Sequence, residues 1–167
     1  MRRYTHLSAV LYMLRKKQIT LLNPLWWDDK DDSNFLEIYK KRKGLSSVLA
    51  LCFARPDETY HHWKVFAPGP GGICIKFDKD ALLSCLTRVS GVRSRACDYK
   101  LIDDLSKNGP SCDDLPFLKR KAFKDDKEFR IIFEDRTNDC PTKDFPILLT
   151  CISQIAISPW TPEALAK

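Results

Sequence analysis

The spacing of apolar and polar residues divides the chain into short, dissimilar pieces. "RRYTHLSAVLYMLRKKQITLLNP" opens as a strand, becomes a helix with Leu7, Val10, Leu11 and Leu14 at i, i+3, i+4 and i+7, and returns to a strand from Ile19 to Leu22 that Asn23-Pro24 stops. Lys16 and Lys17 close that helix where cations suit its dipole. "LWWDDKDDSNFLEIYKKRKG" combines paired tryptophans, an acidic cluster and a basic run, and reads as an exposed loop leading into a solvated helix. "SSVLALCFA" is apolar almost throughout, which predicts a central strand. A loop with one helical turn follows over "RPDETYHHWKVFAPGPGG", then a strand at "ICIKFD" and a helix at "KDALLSCLTRV". Residues 90–115 are the least regular part, with a strand near Arg95 to Lys100.

The strongest strand signal is "KDDKEFRIIFED", where Phe129, Ile131 and Phe133 alternate with Glu128, Arg130 and Ile132. A last strand, "ILLTCISQIAIS", ends at Pro159. Strands and helices mix without regular βαβ alternation. The expected class is therefore α+β, one domain over residues 1–167, with a mostly antiparallel or split mixed sheet and flanking helices.

Composition narrows this picture. At 167 residues and 44% apolar content the chain can fill a real core. Its 28 Lys and Arg against 22 Asp and Glu give a net charge of +6, which favours anionic partners without demanding nucleic acid. Seven cysteines, at 52, 74, 85, 97, 112, 140 and 151, are an odd number with no C-x-x-C pair, and so read as buried thiols in a reducing compartment. No run approaches the roughly 18 apolar residues of a membrane span, and no signal-peptide core follows the first residues. A cytoplasmic protein with no membrane partner is expected.

Candidate chemistry is sparse. Glu128 and Arg130 share a strand face with Asp126 just upstream, so a carboxylate there could steady a cationic transition state; the plainer reading is an ion pair on a solvated sheet face. His6, His61 and His62 have no partners at metal-site spacing, so no metal is expected. Asp28, Asp29, Asp31 and Asp32 lack the spacing of a calcium loop and read as solvated. Cys52 or Cys74 would make a nucleophile only outside the apolar runs in which they sit. Tyr60, His61, His62, Trp63 and Phe66 form an aromatic group beside "PGPGG", suited either to stacking on a planar ring or to core filling. The glycines allow a turn or a close ligand approach, but there is no Walker signature.

The order of motifs is more telling than any one of them. "RYT", "NPLWWDD", "LCFA", "HHWKVFAPGPGGICIKFD", "FLKRKAFKDDKEFRIIF" and "ISQIAISP" together resemble the microbial domain-of-unknown-function family numbered twenty-nine seventy-one, over nearly the whole chain from Arg3 to Pro159. That family is similar in its Arg/His-Tyr-Thr opening, Asn-Asp-Pro loop, Cys-Phe-Ser strand and Lys-x-x-x-Trp-x-x-Glu-x-Glu-x-Arg signature. This chain departs at Asp28-Asp29-Lys30, Ala54, Phe66 and in "AFKDDKE", where Asp126 replaces the first acid of the pair.

More distantly, the plan resembles that of ADP-ribosyltransferases. The resemblance implies NAD as co-substrate, held by Arg3 with Tyr4 and Thr5 beside it, Tyr60 or Trp63 stacking on nicotinamide, Arg130 lining the pocket, and Glu128 as the catalytic carboxylate. It also implies a protein or nucleic-acid acceptor and a setting in microbial or phage defence or toxicity. The competing expectation is a non-catalytic interaction module whose basic runs, Lys40 to Lys43 and Lys119 to Lys121, bind nucleic acid or other phosphates. A metal nuclease using Asp28, Asp29 and Glu128 ranks third, since those acids lie in unrelated segments.

Overall fold

The computed structural model describes residues 1–27, 29–55, 57–107 and 109–165. In chain order the elements are β1 (Arg2–His6), α1 (Leu7–Lys16), β2 (Gln18–Leu22), α2 (Lys30–Lys43), β3 (Ser47–Ala54), α3 (Tyr60–Phe66), β4 (Gly72–Phe77), α4 (Lys79–Leu86), β5 (Val92–Ala96), β6 (Asp98–Lys100), α5 (Ile102–Lys107), β7 (Leu118–Arg120), β8 (Glu128–Asp135), β9 (Thr142–Pro146) and β10 (Ile152–Ile157). The class is α+β, with mainly antiparallel strand pairing and flanking helices. Short polar side chains start several of the helices. Asp29 accepts from the backbone N–H groups of Asp31 and Asp32 ahead of α2, Thr59 from that of His62 at α3, and Asp78 from that of Ala81 at α4. Among the described residues no helix is long and apolar enough to cross a membrane.

The chain forms two compact units, the first from Met1–Ile19, Phe53–Arg88 and Asp144–Lys167 and the second from Thr20–Cys52 and Val89–Lys143. In the first, β4 lies between β1 and β10 in antiparallel register, with Tyr4 opposite Cys74 and Ala156 opposite Cys74 on the other side. Strand alternation therefore puts Tyr4, Cys74 and Ala156 on one face, where they pack with Trp63, Ala67 and Ala54. The "PGPGG" turn serves this packing. A Cβ on Gly72 would collide with the carbonyl oxygen of Ala67, so the backbone approach that requires glycine is to the chain itself.

In the second unit β8 pairs antiparallel with β5, from Val92↔Phe133 to Ala96↔Phe129, and with β3 along its other edge. Leu36 and Tyr39 of α2 pack with Val48, Phe117 and Ile132 into an apolar cluster. Two expectations change here. Helix α2 is not a solvated helix, because Asp32, Ser33, Leu36 and Tyr39 form a buried stripe at helical spacing. The last strand is shorter than expected. Leu149–Cys151 is a 3-10 turn closed by the Cys151 N–H on the Leu148 carbonyl, and β10 begins only at Ile152.

Candidate functional site

Glu128 and Arg130 stand on the same face of β8, as their spacing requires, but that face is not solvated. Every residue from Glu128 to Phe133 is buried, with Glu128 6% and Arg130 0% exposed. The plainer expectation of a surface ion pair is thereby overturned. β8 is covered on both faces, so the two-residue period that separates apolar from charged positions separates two kinds of interior.

Arg130 uses its whole guanidinium internally. Its Nε donates to Glu128 Oε1 at 2.7 Å, while Nη1 and Nη2 form a fork on the two oxygens of Asp32 at 2.8 and 2.6 Å. Nη1 also donates to the Pro116 carbonyl, and the plane of charge lies over the Trp27 ring, 4.8 Å from its centroid. Lys119, only 6% exposed, donates to Asp126 Oδ2 and Glu128 Oε2, both at 3.0 Å. The Cys97 thiol points at Glu128 Oε1 at 3.6 Å, and the Tyr99 hydroxyl accepts from the Glu128 backbone N–H at 2.8 Å. Three carboxylates thus face two cations inside the second unit. Both oxygens of Glu128 are occupied by neighbouring donors.

The electrostatics follow from that packing. Burial alone would raise the Glu128 carboxyl, but Arg130 and then Lys119 outweigh it, helped by hydrogen bonds from Arg130 and Cys52, and hold it at about 2. Asp32 moves up instead, because burial exceeds the pull of Arg130. The fork geometry requires Asp32 ionised at neutral pH. Lys119 is pushed up despite burial by Glu128, Asp32 and Asp126. Burial raises the thiols of Cys52, Cys74 and Cys97, so none is poised as a thiolate nucleophile.

This arrangement sets a pH dependence. Glu128 titrates below its ordinary value of 4.5 in the fold, so its contribution to stability is complete above that value and disappears as pH falls through about 2. Urea midpoints measured from pH 6 to pH 2 are expected to fall in that window. The fall should be shallower in Glu128→Gln, and equal slopes would contradict the assignment.

Of the residues that the resemblance assigns to NAD, Arg3, Tyr4, Thr5, Tyr60 and Trp63 lie in the first unit. Tyr4 and Trp63 meet edge to face at 5.3 Å, and Tyr4 stacks on His62 at 5.5 Å. Trp63 is 2% exposed and its Nε1 donates to Glu58 at 2.7 Å, so the ring fills the core. Arg3 and Thr5 flank Tyr4 in β1 and therefore occupy the opposite face of that strand. Tyr60 is 70% exposed and contacts Trp160 edge to face at 5.8 Å. Glu128 and Arg130 belong to the second unit.

Sequence reasoning missed Asp32, Lys119 and Cys97. Asp32 sits in what reads as a charged loop, and Lys119 in what reads as a basic surface run. The only local sign for Asp32 was the acidic cap three residues ahead of it, which places it on the first turn of α2 in line with Leu36 and Tyr39. Asp28 lies outside the described residues, whereas Asp29 caps α2 and Asp31 pairs with Arg120 at 2.9 Å. Among the described residues no group of three or more potential ligands could hold a metal ion. No protein-family model, curated protein or solved structure matches the chain.

Proposed function

We propose that the protein is a non-catalytic module that binds phosphate-bearing ligands, single-stranded nucleic acid foremost, through exposed cations of its second unit. The observation that carries this reading is the occupancy of Glu128. A carboxylate that stabilises an oxocarbenium-like ribose must turn a lone pair towards substrate, and Glu128 accepts instead from Arg130, Lys119 and Cys97 inside the fold. Lys119 leaves the candidate basic surface for the same reason, and Lys43 is taken up by Asp113 at 2.6 Å. Lys41 pairs with Glu37 at 3.4 Å, which leaves Arg42 on α2, with Lys121 and Lys124 after β7, as exposed cations. They agree in sign with the net charge of +6.

The test is fluorescence anisotropy with a labelled single-stranded oligonucleotide between 50 and 200 mM salt. Binding that weakens steeply with salt is expected, since each neutralised phosphate releases condensed counterions. No binding at 50 mM salt, or binding indifferent to salt, would overturn the reading.

A further inference from the structure

Helix α2 carries a second stripe that the core takes up only in part, Phe35 packing half-buried against the apolar cluster while Ile38 stays exposed. Asp31, Asn34, Phe35, Ile38 and Arg42 fall at i, i+3, i+4, i+7 and i+11, on a different face from the buried Asp32, Leu36 and Tyr39. Together with Ile102 and Leu105 of α5 and Leu115, this stripe lines an open groove of about 400 Å³, within the range of small-molecule sites. Its middle is apolar, with Ile38 left 41% exposed. Its ends are polar in different ways. At one, Arg120 and Asp31 pair at 2.9 Å and neutralise each other.

At the other end stands Arg42. Its neighbours are engaged, Lys41 with Glu37 at 3.4 Å and Lys43 with Asp113 at 2.6 Å, whereas Arg42 makes no ion pair among the described residues. Helical side chains lean towards the N-terminus, so the Arg42 guanidinium covers the turn around Ile38, over the groove. Asp31 to Arg42 spans roughly 16 Å of helix at 1.5 Å per residue. The groove therefore offers an apolar bed, one amide at Asn34 and a single cation without an ion-pair partner among the described residues at one end.

We propose that this groove binds a nucleoside monophosphate unit, its base on Phe35 and Ile38 and its phosphate on Arg42. The proposal rests on the phosphate-binding reading above and gives it a site. Base stacking on an aromatic ring tolerates any base, and the planar guanidinium grips phosphate oxygens in pairs. An acyl chain with a carboxylate would match the apolar bed but leave Asn34 and the Asp31–Arg120 pair facing hydrocarbon. The unit is either a free nucleotide or the terminal residue of a single strand.

The experiment is calorimetric titration of the full chain with AMP, adenosine, decanoate and a 5′-phosphorylated single-stranded oligonucleotide, repeated on Arg42→Gln and Ile38→Glu, both of which change exposed side chains. AMP is expected to bind at least tenfold more tightly than adenosine. Arg42→Gln should erase that difference, and Ile38→Glu should abolish AMP binding by placing a carboxylate in the bed. A terminal-nucleotide source gives tighter binding of the oligonucleotide than of AMP, and a free-nucleotide source gives the reverse; either supports the site if both variants weaken it. No AMP binding, unchanged binding in both variants, or decanoate binding in place of AMP overturns the proposal. If the oligonucleotide still binds wild type and both variants alike, the site is wrong and the phosphate-binding reading survives. AMP held in the groove by a chain that cleaves NAD would sink that reading and keep the site.

Discussion

Arg130→Met is expected to cost about 3–5 kcal/mol of folding stability, the range for removing one partner of a buried ion pair. The loss comes from what the substitution leaves behind. Glu128 Oε1 and both oxygens of Asp32 lose their main donor while remaining buried, and the Pro116 carbonyl loses its bond as well. Lys119 cannot substitute for it, because it already holds Asp126 and Glu128 and stands 3.9 Å from Asp32. Urea unfolding should show a lower midpoint with an unchanged slope. A loss under about 1 kcal/mol, the scale of an exposed pair, would mean that water reaches the cluster.

Trp63→Ala is the second large effect, at about 3–5 kcal/mol, the range for deleting a buried indole. Trp63 packs on Tyr4 and fills the space between Ala67, Ala54 and Cys74, and its removal also leaves Glu58 without its donor. The same variant separates two roles for this ring. A core indole changes the unfolding midpoint and leaves oligonucleotide affinity at matched folded concentration intact. A stacking indole would do the opposite.

The elements were more legible in the sequence than the site. The alternation in "EFRIIF" located β8, because its period is a backbone property that survives any environment. It could not say that the charged face was covered, since that depends on α2 and the turn before β7, packed from distant sequence. Asp32 and Arg130 are 98 residues apart, and no local pattern links them. The acidic run at the start of α2 mixes a cap, a surface acid and a buried fork partner within four residues, which composition alone reads as one solvated cluster. Trp63 read equally as a stacking ring or as core filling, because nothing in its local sequence says which face of α3 is covered; it is buried. The separation of Tyr4 from Arg3 and Thr5 was also implied by the strand period, but the motif-based reading of "RYT" treated three consecutive residues as one site.

On the phosphate-binding reading Glu128 is a strut of the second unit and not a reacting group. Nicotinamide release from NAD, followed with wild type and Glu128→Gln at matched folded concentration, tests this most directly. No release above the uncatalysed background is expected from either protein. Release by wild type that Glu128→Gln abolishes while the fold persists would contradict that reading and restore Glu128 to catalysis.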